Sequence, residues 1–338
     1  MTTQQAIAKL IEGQSLTKDE MSAVMKEIMT GLATDAQIGG FLIALRLKGE
    51  SIDEITAAAE VMRELATPVS INAENLVDIV GTGGDGSGTF NISTASCFVV
   101  AAAGGHVAKH GNRSVSSKSG AADVLEAAGV NLGASPEKVA TCVEQLGVGF
   151  MFALNHHSSM KHAIGPRKEM AVRTIFNILG PLTNPAGAPN QLLGVFSKEL
   201  VRPLAEVLKK LGSNHVLVVS ADDGLDEISI ACPTSVAELC EDGTIKEYTI
   251  QPEDFGFKSQ PLDAIIVSDP EESLVMLKGV LANKAGPARD IVALNAGAAI
   301  YAAGLSDSLA SGIERATEVI ASGAAMEKLT ALSEMTNA

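Results

Sequence analysis

Apolar residues recur at helical spacing through the first 70 positions, and strand-like runs begin only after them. Thr17 and Glu20 form a T-x-x-E capping box ahead of MSAVMKEIM. Ile38, Phe41, Leu42 and Leu45 lie three and four apart behind Asp35 and make one stripe. Ser51 and Glu54 repeat the box before Ile55, Ala58, Ala59 and Met62, and Pro68 ends the pattern. The spacing predicts a small, all-helical N-terminal unit. The texture changes at Leu76, where LVDIV predicts a short buried strand ending in Gly81. Residues 93–103 predict a helix, 106–109 a strand, 121–128 and 136–146 helices, and 215–220 (HVLVVS) another buried strand. From Ala288 onward the chain reads as Ala-rich helix. Strands alternating with helices predict an α/β fold with a mostly parallel central sheet flanked by helices. The Pro/Gly cluster GPLTNPAGAPN, residues 180–190, is a candidate hinge or domain crossing.

Composition narrows the function. With 338 residues, 46% of them hydrophobic, the chain can bury a large core, which excludes disorder. Lys plus Arg number 25 against 40 Asp plus Glu, a net charge of −15. That charge disfavours non-specific binding to nucleic acid or to an anionic membrane, both of which need a basic face. Cys97, Cys142, Cys232 and Cys240 are widely spaced, match no zinc pattern, and read as buried thiols in a reducing compartment. The N-terminus lacks the charge and apolar core of a signal peptide. The most apolar run, residues 97–103, is far shorter than the ~20 residues of a membrane helix. A soluble, cytoplasmic protein is expected.

Three segments carry the chemistry. Residues 81–88, GTGGDGSG, hold five glycines in eight positions between a strand and a helix. Such a loop lets backbone N–H groups converge on an oxyanion, and the helix N-terminus adds its dipole. Gly81, Gly83 and Gly86 satisfy G-x-G-x-x-G, but the acid expected about 20 residues on, to hold a ribose hydroxyl, is missing. No Gly-Lys-Ser/Thr follows either, so a phosphate or pyrophosphate cradle fits better than a dinucleotide or Walker A site. Acids average about one per eight or nine residues, yet the 37 residues 86–122 contain none while holding Lys109, Arg113 and Lys118. Within them, KHGNRSVSSKSG leaves a strand end, where α/β sheets bind ligands. A second acid-free window, 145–168, holds His156, His157, Lys161, His162, Arg167 and Lys168. Arg167 could fork onto a carboxylate or phosphate. Any single histidine here is more readily structural than catalytic, and the group lacks a carboxylate at metal spacing. The acids gather instead at 222–227, DDGLDE, after the strand HVLVVS. Alone this is an acidic turn; beside phosphate loops its hard oxygens suit Mg²⁺. Nucleophilic catalysis has no support, since no G-x-S-x-G elbow or Cys/His motif occurs.

Together these segments resemble the anthranilate phosphoribosyltransferases of tryptophan biosynthesis. The matching stretches are GTGGDGSGTFNIST (81–94), KHGNRSVSSKSGAADVLEAAG (109–129), HHSSMKHAIGPRKEMAVRTIFNILGPLTNP (156–185) and GLDEIS (224–229). The helical start and tail also fit, so the resemblance covers essentially the whole chain. The second and third stretches are specific, whereas GTGGD is shared with pyrimidine nucleoside phosphorylases. The resemblance implies a homodimeric glycosyltransferase that moves the phosphoribosyl group of 5-phosphoribosyl 1-pyrophosphate (PRPP) to the amine of anthranilate. It implies a helical domain, residues 1–70 joined by helices from about 173–190, and a large α/β domain, residues 71–172 and 191–338, with PRPP at the hinge. It places Gly81, Gly84, Asp85, Thr89, Asn91, Ile92, Ser93 and Thr94 against PRPP. It does the same for Lys109, His110, Gly111, Asn112, Arg113, Ser114, Val115, Ser116, Ser117 and Ala121. Ser93, Asp226 and Glu227 match magnesium positions, with two Mg²⁺ per subunit expected. Gly81, Asn112 and Arg167 match anthranilate contacts. Two departures stand out: Ala121 replaces a serine common in the family, and Gly165-Pro166-Arg167 replaces a common Pro-Val-Arg.

Bond breaking would build oxocarbenium character on the ribose and negative charge on the leaving pyrophosphate. The expected catalytic set is Lys109 and the metal for the leaving group, Arg167 and Asn112 for the acceptor, and His110 for the released proton. The rival readings are a pyrimidine nucleoside phosphorylase and a non-enzymatic, nucleic-acid-binding relative on the same scaffold. GPLTNP and GLDEIS disfavour the first, and the net charge of −15 disfavours the second.

Overall fold

The computed structural model describes residues 1–114 and 118–338. Four helices open the chain: α1 (Thr3–Ile11), α2 (Lys18–Met29), α3 (Asp35–Lys48) and α4 (Ile52–Leu65). Each begins with a reciprocal capping box, at Thr2, Thr17, Thr34 and Ser51, which satisfies amides that a helix start leaves unpaired. Glu54 of the last box is fully buried; it pairs with Lys48 at 2.6 Å and accepts the Leu16 amide at 2.8 Å.

Seven strands form one sheet: β1 (Leu76–Gly81), β2 (His106–Gly111), β3 (Val148–Phe152), β4 (Asn190–Gly194), β5 (His215–Ala221), β6 (Thr234–Leu239) and β7 (Ile245–Ile250). Their order is β3-β2-β1-β4-β5-β6-β7; the first five are parallel, and β6 and β7 run antiparallel. The crossovers carry α5 (Ile92–Ala102), α6 (Ala121–Ala127) and α7 (Pro136–Leu146). The α/β class and the mostly parallel sheet are as expected. Strands β3, β4, β6 and β7 are additions. VGFMF and NQLLG are five-residue runs broken by glycine or led by asparagine, too short to announce themselves by period. The C-terminal stretch is three helices, Pro287–Ala302, Leu309–Ser322 and Ala324–Asn337, separated at Gly304 and Gly323. No described helix is long and apolar enough to cross a membrane.

Apart from the edge strand β7, the sheet is buried on both faces, with side chains alternating between two cores. Val77, Ile79, Leu192, Leu217 and Val219 join α5 and the helix Pro287–Ala302. Leu193, Val195, Val216 and Val218 face the other way, into a core shared with α1–α4, residues 175–182 and the helix Val201–Lys210. Chain direction reverses at β1: β2 and β3 lie to one side, β4 and β5 to the other. Such a switch point opens a crevice at the carboxyl ends of the strands.

At the opposite end of β5 a polar clasp ties the antiparallel edge. Glu238 of β6 accepts hydrogen bonds from His215 at 3.0 Å, Tyr248 at 2.9 Å and Tyr301 at 2.8 Å. Burial alone would raise its carboxyl pKa, but these donors outweigh it and hold the group at about 2. A carboxyl lowered in the folded state stabilises above its ordinary value and loses that contribution as pH falls. Glu238→Gln is therefore expected to lower Tm at neutral pH, and to flatten the loss of stability between pH 4.5 and about 2. Parallel acid-unfolding curves for variant and wild type would refute this account.

Candidate active site

Two loops meet where β1 and β4 end. The Thr82 amide donates to the Gly194 carbonyl at 2.9 Å, extending the ladder by one bond before the glycine loop turns away. Asp226, from the segment after β5, lies directly on this end. A Cβ on Gly81 would strike its carboxylate, and one on Gly194 its backbone carbonyl, so both strands must finish without a side chain. Gly83 donates its amide to Asp226 Oδ2 at 2.6 Å. Gly83 and Gly84 both take positive φ, 66° and 76°, a conformation that favours glycine. The far end of the loop is anchored by amides of Phe90 to the Ile265 carbonyl and Val267 to the Gly88 carbonyl, both 2.9 Å.

Asp85, Asp226 and Glu227 crowd the same place. Burial and then the Asp85 charge push the Asp226 carboxyl up; burial and then Asp226 push Glu227 well above its usual range. The compensating cation is Lys109. Its buried Nζ donates to the Ile79 carbonyl at 2.6 Å and to Ser93 Oγ at 3.2 Å, and its charge opposes the rise at Glu227. Among the described residues no cluster of three or more His, Cys, Asp or Glu side chains forms a complete metal cage. A crowded carboxylate pair with a neighbouring hydroxyl fits a hard cation that takes its remaining oxygens from a phosphate ligand, as Mg²⁺ does.

Helix α5 starts beside this cluster. Asn91 caps it, accepting from the Thr94 amide at 3.0 Å and Ser93 Oγ at 3.2 Å, and donates Nδ2 to the Ser119 carbonyl at 3.2 Å. Ile92 is buried, whereas Thr89 is half-buried and bridges to Ile266. The buried hydroxyls of Thr94 and Ser119 have no partner among the described residues. The loop after β2 is closed by one carboxylate: Asp123 Oδ2 accepts the amides of Ser114 at 3.0 Å and Gly120 at 3.1 Å. Asn112 and Arg113 are exposed, and the Arg113 guanidinium pairs with Asp123 at 3.0 Å and Glu126 at 2.7 Å. Ala121 is the first residue of α6. Val115, Ser116 and Ser117 lie outside the described residues.

Strands β1 and β2 pair only at Leu76 and Val77. Beyond that point side chains replace the ladder. Asp78 accepts the His110 amide at 3.2 Å and Asn184 Nδ2 at 2.7 Å, and Asn184 also donates to the Ala108 carbonyl at 2.8 Å. Lys109 and His110 are consecutive on β2 and so project to opposite faces. The His110 ring lies 5.0 Å from that of His157. Burial, with the neighbouring histidines, lowers His110 to about 3 and His157 to about 4, so both are neutral at pH 7. Both Nε2 atoms are buried without a partner among the described residues. Arg167, on the helix Lys161–Met170, stacks over Phe176 at 5.2 Å and has no acidic partner among the described residues. Burial lowers its pKa too. His156 is separately engaged, with Nδ1 2.9 Å from the Thr67 carbonyl.

Sequence reasoning assigned no role to His157 or Arg173. The Arg173 guanidinium stacks over Phe196 at 4.1 Å and donates to the Gly84 carbonyl, while Arg46 of α3 donates to the Arg173 carbonyl. The signal for His157 was its adjacency to His156; nothing local in the sequence separates the engaged imidazole from the orphaned one.

Residues 73–326 match the family model described as the a/b domain of a glycosyl transferase family, and residues 4–66 match its helical bundle domain. The anthranilate phosphoribosyltransferase of Thioalkalivibrio sulfidiphilus is 64% identical over 336 residues, 99% of each chain. The crystal structure of the enzyme from Thermus thermophilus superposes with a TM-score of 0.93 at 45% identity, covering 98% of this chain and 99% of that one. The Saccharomyces cerevisiae enzyme in complex with PRPP and Mg gives 0.91 at 28% identity, over 99% and 98% of the two chains. With an a/b-domain match over most of its length and relatives this similar from end to end, the chain belongs to the anthranilate phosphoribosyltransferase family.

Proposed function

We propose that the protein transfers the 5-phosphoribosyl group of PRPP to the amine of anthranilate, giving N-(5-phosphoribosyl)anthranilate and pyrophosphate in tryptophan biosynthesis. One observation supports the residue assignment: consecutive residues of β2 face two chemically different surroundings. Lys109 faces the acids and the glycine loop, while His110 faces a second imidazole with an unpaired nitrogen. The activity of the relatives supports this reading over nucleoside phosphorolysis.

PRPP occupies the switch-point crevice. Gly81, Gly84, Asp85 and Thr89 line it, with Asn91, Ile92, Ser93 and Thr94 at the α5 N-terminus and residues 109–114 opposite. Backbone amides and the helix dipole bind the anionic oxygens. Arg113, spent on two acids, contributes its backbone rather than its charge. Ser93, Asp226 and Glu227 would hold Mg²⁺, two ions per subunit, and when bound the metal would supply positive charge to neutralise the leaving pyrophosphate. Two of the three ammonium hydrogens of Lys109 are committed, so the third is left for the leaving group.

Anthranilate lies beside His110 and His157, with Arg167 on its carboxylate and Asn112 and Gly81 alongside. Its aryl amine is unprotonated at pH 7 and attacks ribose C1 as the bond to pyrophosphate breaks. The ammonium so formed is strongly acidic, because the ring competes for the nitrogen lone pair. A weak base such as His110 Nε2 is then sufficient to take the proton. The helical portion, 1–70 with 173–190, and the α/β portion, 71–172 with 191–338, form the two walls. The protein works as a cytoplasmic homodimer without nucleic acid.

The direct experiment follows the fluorescence of anthranilate, which should decay only when PRPP and Mg²⁺ are both present, with pyrophosphate released in step. Folded protein that binds PRPP but leaves anthranilate unchanged would disprove the acceptor. Glu227→Gln should shift the Mg²⁺ requirement steeply upward; an unaltered titration removes Glu227 from the metal. Arg167→Ala should raise the KM for anthranilate roughly 10–100-fold, the worth of a charge-assisted contact, with little change for PRPP. Equal effects on both substrates would defeat the carboxylate pairing. Because His110 and His157 are lowered from 6.5 and stay neutral until far more acidic pH, the rate ratio of wild type to His157→Gln should be constant from about pH 8 to about pH 5. A ratio that changes through 6.5 would show a histidine titrating in its ordinary range.

A further inference from the structure

The segment between β5 and β6, residues 222–233, carries Asp226 and Glu227 but has little ladder bonding of its own. Leu225, Ile228, Ser229 and Ile230 on it are buried, so its backbone polar groups need partners inside the protein. Asp226 is fixed from the sheet side by Gly81, Gly83 and Gly194. The next peptides are fixed from the helix layer. Asn295, in the middle of the helix Pro287–Ala302 and fully buried, accepts the Ile228 amide at Oδ1 over 2.9 Å. Its Nδ2 donates to the Ile228 carbonyl and to the Ile291 carbonyl, each at 2.9 Å. The amide thus uses both hydrogens and its oxygen, and two of these bonds hold the residue that follows Glu227.

The rest of this helix is dominated by Ala, Ile, Val and Leu. A buried amide costs free energy unless satisfied, and Ala or Leu would pack there without that cost. The segment is also tied before the acids, by the Ala221 amide to the Leu225 carbonyl at 3.2 Å and the Asp222 amide to the Pro233 carbonyl at 3.0 Å. Beyond Ile228 it is tied by the Ser229 amide to Thr234 Oγ1 at 3.1 Å, Ser229 Oγ to Asp223 Oδ2 at 2.7 Å and the Gln260 amide to the Ile230 carbonyl at 3.0 Å. Asn295 is the tie that grips the residue after Glu227.

We infer that Asn295 is a positioning residue that, by clasping both backbone groups of Ile228, sets the chain direction at Glu227 and so governs how tightly the acidic pair holds a divalent cation. The inference rests on the reading of Asp226 and Glu227 as magnesium ligands. Groups that orient ligands in this way typically change metal affinity 10–100-fold when removed.

The test uses Asn295→Asp, which keeps the volume and one acceptor but loses the donation to Ile228, and Asn295→Leu, which loses both bonds. Ile313→Val, a buried neighbour packed against Gly297 of the same helix, is the packing control. Three quantities are read: Mn²⁺ uptake in the presence of PRPP without anthranilate, by loss of the free-ion EPR signal; the Mg²⁺ midpoint of turnover; and Tm. Both Asn295 variants should weaken Mn²⁺ uptake and raise the Mg²⁺ midpoint roughly 10–100-fold, with kcat largely restored at saturating metal. Ile313→Val should lower Tm and leave both metal readouts unchanged. A folded Asn295→Asp with wild-type Mn²⁺ uptake overturns the inference, as does failure of both variants to fold, which would make Asn295 a packing residue. Wild-type protein that takes up no Mn²⁺ with PRPP would instead overturn the magnesium reading itself.

Discussion

The structure turns on a place where no side chain can exist. Gly81 and Gly194 end adjacent parallel strands, and the Asp226 carboxylate and carbonyl occupy the volume their Cβ atoms would fill. Because the acidic segment can settle onto the sheet edge there, the carboxylates meet the glycine loop, and the Gly83 amide can reach Asp226. An alanine at either strand end would displace the segment bodily, because one of the clashing groups is backbone. Gly81 therefore acts as a constraint on folding.

That arrangement stacks negative charge where burial makes it costly, and Lys109 offsets only part of it. The rise in the Asp226 and Glu227 pKa values expresses an apo site that favours a cation or a proton. On the other face of the same strand the logic reverses. His110 and His157 are too deeply placed to carry charge, so that face offers neutral imidazole nitrogen. One short strand thereby separates a crowded acidic cluster from a pair of neutral imidazoles, with the backbone between them held by Asp78 and Asn184.

The elements that speak locally were legible in the sequence. Capping boxes at Thr17 and Ser51, the buried runs LVDIV and HVLVVS, and the glycine loop each depend on contiguous residues. The acid-free windows and DDGLDE marked segments that the fold brings together at the strand ends, because charge is visible without a fold. What stayed hidden depends on partners far away in the chain. β4 begins at the last residue of the Pro/Gly cluster and stays unannounced until β1 and β5 flank it, and β6 and β7 gain their identity by pairing with β5 and each other. Arg113 looked like a ligand for anions because Asp123 and Glu126 lie ten and thirteen residues away, beyond any helical spacing. His157 and His156 are indistinguishable until Thr67 is seen to claim one of them.

The Glu238 clasp has an optical side. The chain contains no tryptophan and two tyrosines, and both phenols donate to this one carboxylate. Its near-ultraviolet emission therefore originates at the antiparallel edge of the sheet, at the end of β5 away from the acidic segment. Native tyrosine fluorescence is a local gauge of that edge, blind by placement to the glycine loop. The spectral region where an anthranilate-type fluorophore would be watched is left free of indole background.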